Sequence, residues 1–442
     1  MSDEQIPGKG QEPARAVDVE QVPAEQRASG ADVPPPPAAN RILREIASSS
    51  WLLSLLAIVI ALVIGSILIA WTDPAVQKAA GYFFSRPADT FKAIWEAIAG
   101  AYTSLFQGAI YNPKRGDFIN AIKPLTETLT FATPLIAAGL GVALTFRVGM
   151  FNIGGRGQIL IAAAAAGWVS WSFELPPFLH ILFATLAALI GGAVWAGIAG
   201  VLKARTGAHE VILTIMLNYV AYYLISYLLK TPGALQAPGS NTPKSPPALE
   251  SAIFPTLSDL IGVGSYRVNL GFILAILATV WLWYLLNRSS MGFRFRAVGE
   301  NPHAARTAGI SVKSTYVLAM VLSGALLGLA GASQVLGTTT TGFAAGVDAG
   351  IGFDAITVAL LGRSRPWGVF FSGLLFGALK AGGYTMQASE GIPIDIVLVV
   401  QSVIVLLIAA PPLVRAIFRL PSPDATATVR PAKATAKKVV TK

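Results

Sequence analysis

The sequence predicts an all-α polytopic membrane protein of about ten transmembrane helices, arranged as an inverted repeat of five helices with both termini in the cytoplasm. Three observations carry that prediction. Hydrophobic residues make up 54% of the 442 residues and charged residues only 13%, with a mean hydropathy of +0.60, a balance foreign to soluble domains. The apolar residues gather into ten runs, most of them near the ~20 residues that cross ~30 Å of hydrocarbon as helix. Lys and Arg gather in alternate connections, so the formal net charge of +10 follows from topology and not from nucleic-acid binding.

The elements follow in order. Residues 1–50 mix both charges with the run Pro34 to Pro37 and lack apolar periodicity, so they read as a disordered cytoplasmic tail. No short apolar core with a small-residue cleavage site opens the chain, and the first transmembrane helix, 51–71, is expected to stay as an anchor. Residues 72–124 form an external segment. Within it Phe91, Ile94, Trp95, Ile98, Tyr102, Leu105 and Phe106 recur at helical spacing, an amphipathic helix that lies along the outer face or packs on the bundle. The membrane core, 125–413, contains spans at 125–146, 158–173, 179–202, 211–229, 270–286 and 315–336, a short one at 351–361, then 367–384 and 394–410. Between the fifth and sixth spans of the chain, residues 231–269 are rich in Pro, Gly and Ser, which fits either contact with a solute-delivering partner or a passive connection. Residues 421–442 are a basic tail suited to a cytoplasmic surface of anionic lipid.

Charge sets the orientation. Arg147, Arg156, Lys203, Arg205, Arg363 and Arg365 fall on the same side as the basic loop 287–314, while the short connections 174–178, 337–350 and 387–393 contain no Lys or Arg. Short loops obey this bias best, which puts the loop 287–314 and both termini inside. There is no Cys, which excludes disulfides, thiol catalysis and Cys-based metal sites. His180, His209 and His303 stand apart without a ligand motif, so no metal site is expected. No paired carboxylates or activated nucleophile share a depth, and no catalytic residue is assigned.

Three motifs carry functional information. The first is Gly299-Glu300-Asn301-Pro302-x-Ala304-Ala305-x-x-x-Gly309-Ile310 in the basic loop 287–314. The second is Phe151-Asn152-Ile153-Gly154-x-x-Gly157-Gln158, whose glycines interrupt helix directly after the span at 125–146. The third is His209-Glu210-Val211-x-x-Thr214-x-Met216-Leu217-Asn218. Together, over about Leu125 to Leu413, they resemble the permease subunits of ABC importers, of the nucleoside and simple-sugar type within the branched-chain amino acid and ribose permease superfamily. The first hundred or so residues depart from that pattern.

The resemblance implies that 125–413 is a permease core and that 287–314 is its cytoplasmic coupling loop, with Gly299, Glu300, Asn301, Pro302, Ala304, Ala305, Arg306 and Gly309 at the ATPase contact. Arg294, Arg296 and Arg306 would support acidic surfaces on that partner. It implies a cytoplasmic ABC ATPase, a second permease that is homologous or identical, an extracellular or periplasmic solute-binding protein, and a place as a multi-pass protein of a bacterial plasma membrane. The only cofactor is then ATP with Mg, held by the partner ATPase. The chain itself carries no phosphate-cradling Gly-rich loop with its Lys, so it is not an enzyme.

Candidates along a solute path are Asn152, Gly154, Gln158, Thr214 and Asn218, whose amides and hydroxyl suit polyhydroxyl or nucleobase groups. Each has a structural alternative: a turn for 149–158, an interhelical hydrogen bond for Asn218, a bond to its own backbone for Thr214. Asp354 joins them as an ionisable residue in apolar surroundings, opposite Lys380 in the same category, with helix capping and snorkelling as alternatives. It lies in a second Gly-broken stretch, 342–356, five spans after the first and opposite in direction, the pattern that an inverted repeat leaves in a sequence. Import of nucleosides or related solutes by alternating access is the leading reading. A sugar or branched-chain amino-acid permease stands second, and an ion-coupled secondary transporter is the alternative from another class.

Overall fold

The computed structural model describes residues 50–262 and 265–419. The tails expected over 1–50 and 421–442 lie outside them apart from Ser50. The regular secondary structure of the described residues is helical, with one isolated antiparallel bridge between Thr256 and Asn269. In order, the helices are α1 (Ser50–Thr72), α2 (Pro74–Ala80), α3 (Pro87–Ala109), α4 (Phe118–Ala121), α5 (Lys123–Arg147), α6 (Gly155–Ser172), α7 (Pro177–Thr206), α8 (Glu210–Leu228) and α9 (Leu257–Ile261). They continue with α10 (Leu270–Arg288), α11 (Ser290–Glu300), α12 (Pro302–Thr307), α13 (Val312–Ala332), α14 (Ile351–Leu361), α15 (Pro366–Glu390), α16 (Asp395–Ala409) and α17 (Pro411–Ile417).

Among the described residues six helices are long and apolar enough to cross a membrane: α1, α5 with α4, α7, α8, α10, and α13 with its π-helical extension to Thr338. Each of the ten apolar runs is a helix, but four fall short of that standard for identifiable reasons. Helix α6 carries Arg156 and Gln158 in its first turn, and α15 carries Lys380. The other two are short, α14 with 11 residues and α16 with 15. Polar groups at such positions are tolerated where protein, rather than lipid, surrounds them.

Helices α5 and α13 form the centre: 83% and 67% of their spanning windows are buried, against 22–28% for α1, α7, α8 and α10. The outer four turn Val63, Ile190, Val220 and Leu277 outward, an apolar surface appropriate to lipid. Small residues let the centre close. Gly192 of α7 meets the backbone of Gly324 and Gly328 on α13, and Gly377 of α15 sits against the Thr128 carbonyl of α5, the close approach that small-residue spacing permits.

The amphipathic helix α3 packs on the bundle. The Tyr102 hydroxyl donates to the Leu62 carbonyl in mid-α1 at 2.6 Å, and Ser104 donates to Glu390 at the end of α15 at 2.6 Å. The loop between α8 and α10 pairs with the residues after α13. Ser245 N donates to the Phe343 carbonyl and Ala248 N to that of Thr340, both at 2.9 Å, while Phe254 and Phe343 are buried beneath it. Fully buried His180 fastens the same loop, with Nδ1 2.8 Å from Ser251 Oγ and Nε2 3.1 Å from the Val169 carbonyl oxygen.

Candidate functional site

The chain between α5 and α6 is not helical, and its polar backbone needs partners in an apolar bundle. Asn152, fully buried, supplies several. Its Nδ2 donates to Ser323 Oγ on α13 at 3.1 Å and to Gln158 Oε1 at 3.2 Å. Its Oδ1 accepts from Gln158 Nε2 at 3.0 Å and from Gly154 N at 3.0 Å, so the two amides form a reciprocal pair.

Asn218 on α8 holds the other side, accepting from Gly157 N at 2.8 Å and donating to the Ile153 carbonyl at 2.9 Å. Thr214 Oγ1 accepts from Ile153 N at 3.3 Å and donates to its own backbone at Val211 O, 3.1 Å. Asn152, Gly154, Gln158, Thr214 and Asn218 thus converge, and their polar groups are engaged with protein. They clamp the broken segment between α8 and α13.

The second break, residues 339–350, ends in Ala349 with φ +46° and Gly350 with φ +79°, and α14 then starts against the first break. A Cβ on Gly155 would stand 2.8 Å from the Gly352 carbonyl oxygen, and one on Gly352 would overlap the amide nitrogen of Arg156. The first turns of α6 and α14, directly after the two breaks, therefore touch backbone to backbone. Eleven residues of α14 rise about 16 Å, roughly half of a ~30 Å hydrocarbon core. The turn after α14 is pinned to the end of α5 by Arg147 Nε donating to the Ser364 carbonyl at 2.9 Å.

Two ion pairs flank this meeting point. Arg156 Nε lies 3.4 Å from Asp348 Oδ1, with its guanidinium carbon 4.7 Å from the Tyr222 ring centroid. Lys380 Nζ lies 3.8 Å from Asp354 Oδ2 and 3.3 Å from the Ala349 carbonyl oxygen, to which it donates. Asp354 thus sits in the first turn of α14, directly after the second break. Arg156, Asp348, Tyr222 and Ser323 were not among the sequence candidates. Asp348 gives a faint signal as an acid in a loop without Lys or Arg, but its partner is 192 residues away. At the other end of α6, a cavity of about 560 Å³ opens between Trp168, Trp171, Gln236 and Asn241.

The loop between α10 and α13 folds into a compact knob. Phe295 and Val298 of α11 are fully buried, and Asn301 caps α12 by accepting from His303 N at 2.9 Å and Ala304 N at 3.0 Å, as a helix N-terminus requires. Glu300, Asn301, Ala304, Arg306 and Gly309 are exposed, whereas Ala305 is buried and Pro302 half-buried. Gly299 forms the base: any Cβ there would overlap the Arg147 carbonyl oxygen, and Gly149 approaches it from the other side. The knob therefore rests directly on the segment that leads from α5 into the first break. Arg294 and Arg306 are exposed, but Arg296 turns back and donates to the Leu286 carbonyl.

The family described as the branched-chain amino acid transport system permease component matches residues 125–409. The chain is 37% identical over 314 residues to the guanosine ABC transporter permease protein NupP of Bacillus subtilis, covering 71% of this chain and 86% of that protein. It is 37% identical over 287 residues to the glucose ABC transporter permease protein TsgB13 of Haloferax volcanii, with 64% and 75% covered. It is 35% identical over 351 residues to the nucleoside ABC transporter permease protein NupB of Lactococcus lactis, with 77% and 94% covered. No solved structure matches it significantly.

Proposed function

The chain belongs to the family of branched-chain amino acid transport system permease components, and from that premise we propose that it is the membrane permease of an ATP-driven importer for nucleosides or related sugar-like solutes. It is a multi-pass membrane protein without its own ATPase, and ATP with its Mg ion stays on a partner subunit. The observation that carries the mechanism is the backbone contact of Gly155 with Gly352, where the helices that follow the two broken segments meet. In the conformation described here that contact is the closed point of the path. Alternating access separates it, and a shift of α12 reaches it through Gly299 and the end of α5. Differential binding of the ATPase to the two states supplies the bias.

We read the helix packing as that of an inverted repeat, in support of this mechanism. Exchange α5 with α13, α6 with α14, α7 with α15 and α8 with α16, and the packings on the two central helices map onto each other: α7 on α13 becomes α15 on α5, and α6 on α13 becomes α14 on α5, while α3 on α15 has no counterpart. The first helix of each half departs from the exchange, since α1 packs on α16 while α10 packs on α5. Both termini then lie in the cytoplasm, the knob faces the ATPase, and Trp168 and Trp171 face the side from which a binding protein delivers solute. A second permease, homologous or identical, completes the pathway in a bacterial plasma membrane. Asn152, Gly154, Gln158, Thr214 and Asn218 hold the path closed, and their amides become available to solute hydroxyl or base groups as the break opens. Asp354 and Lys380 line the other wall.

A sugar cargo is the second reading, favoured by the glucose permease relative. Reconstitution in proteoliposomes with ATPase, second permease and binding protein decides between them. ATP-dependent uptake of guanosine in excess of glucose is expected; glucose in excess would reassign the cargo. Uptake by the permease alone, driven by an ion gradient, would overturn the importer reading. Charge reversal at exposed Glu300 (Glu300→Arg) should lower ATPase co-purification and uptake while leaving thermal stability of the permease within about 0.5 kcal/mol, as for an exposed surface change. Unchanged association and uptake would remove the knob from the interface.

A further inference from the structure

We propose that the cavity between the ends of α5, α10, α11 and α15 binds the phosphate headgroup of an anionic phospholipid. The cavity measures about 670 Å³ and is lined by Arg147, Arg296, Arg365, Asn287, Trp283 and Trp367, with no acidic side chain among its walls. The three arginines come from three separate elements, and the guanidiniums of Arg365 and Arg296 each repel that of Arg147. Among the described residues none of the three is ion-paired. Like charges gathered beside an apolar bundle raise the free energy unless an anion joins them.

Donors remain for that anion. Arg147 engages its Nε with the Ser364 carbonyl and Arg296 one terminal nitrogen with that of Leu286, out of five N–H groups on each guanidinium. Arg365 makes no side-chain bond to the helix it precedes. The rest of the wall selects a lipid over a soluble phosphate. Trp283 is 38% exposed, Trp367 41% and Phe371 64%, which continues the cavity as an aromatic surface of the kind found at headgroup level. Basic pockets between spanning helices at the cytoplasmic face suit such headgroups. An acidic ATPase surface is disfavoured, because Arg296 folds back from the exposed face of the knob. The anion would tie α11 to α5 and α15 at the place where the knob rests on the bundle.

The test is native mass spectrometry of the purified full-length permease in detergent, with phosphatidylglycerol and phosphatidylcholine as competing ligands. The wild type is expected to retain phosphatidylglycerol preferentially. At about five-fold per charge near the surface, Arg296→Gln with Arg365→Gln should weaken that retention about 25-fold, and Arg365→Lys should keep it. Should the double variant fail to fold, Arg365→Gln alone serves, with about a five-fold loss expected on the same basis. Equal retention of the two lipids, or a preference unchanged in the Gln variants, overturns the proposal. So does inorganic phosphate that stabilises the lipid-free protein as much as phosphatidylglycerol does, which would indicate a free anion. Loss of ATPase co-purification in Arg365→Gln with the lipid preference intact would instead assign the cavity to the partner.

Discussion

Alanine at Gly352 should destabilise the protein by about 1–3 kcal/mol, the usual cost of forcing a methyl group into packed surroundings, and should remove most of its transport. The added carbon meets the amide nitrogen and Cα of Arg156 and the carbonyl carbon of Gly155. These are backbone atoms, so no rotamer change relieves the overlap. The start of α14 must move off the start of α6, which stretches the Arg156–Asp348 pair and strains the clamp made by Asn152 and Asn218. Thermal unfolding in detergent reads the first effect, and ATP-driven uptake in proteoliposomes reads the second. Gly346, in the same break, has no neighbour within 4 Å of its Cβ position, so Gly346→Ala is the matched control and should behave as wild type. If the two variants are indistinguishable in both measurements, the contact between the breaks is not the closed point of the path.

What the sequence displays of this arrangement is its local part. The short helix α14 is legible over 351–361 because Gly350 and Gly362 bound a run of apolar residues too brief to span. The α12 start is legible because Asn301-Pro302 is both a cap and a first-turn residue. The close approach of α7 to Gly324 and Gly328 follows from their spacing of four on one face of α13. Other features depend on distances that no local pattern encodes. Asn152 finds Ser323 across 171 residues and Arg156 finds Asp348 across 192. Nothing in the loop 287–314 distinguishes Arg296, which folds back on α10, from Arg294 and Arg306, which stay exposed. Likewise Ala304 and Ala305 are equivalent letters, yet one faces outward and the other anchors α12. The polar candidates were found because amides are conspicuous in apolar helices, but the protein groups that engage them become visible only in three dimensions.

Alanine at Gly299 should uncouple the permease from its ATPase without separating them. The exposed face of the knob, with Glu300, Ala304 and Arg306, is untouched by the change, so the ATPase should still co-purify. The base is altered: the new methyl overlaps the Arg147 carbonyl oxygen and lies 3.0 Å from the Arg147 carbonyl carbon. Phe295 and Val298 hold α11 in place by complete burial, so the helix cannot slide freely to relieve the overlap. It must tilt at its end, where it hands α12 to the partner, and the contact with Arg147, Val148 and Gly149 opens. Movement of α12 then no longer reaches the first break. The expected signature is basal ATP hydrolysis that solute and binding protein fail to stimulate, together with lost uptake. Gly309 separates this from a general disturbance of the knob. Its φ is +82° and nothing lies near its Cβ position, so Gly309→Ala carries only the local left-handed cost of about 1–2 kcal/mol and should leave stimulation largely intact. Were both variants to lose stimulation equally, the knob as a whole would matter but the path through Gly299 would be ruled out. Were Gly299→Ala to keep full stimulation, the push would have to travel through another contact, such as α11 on α13.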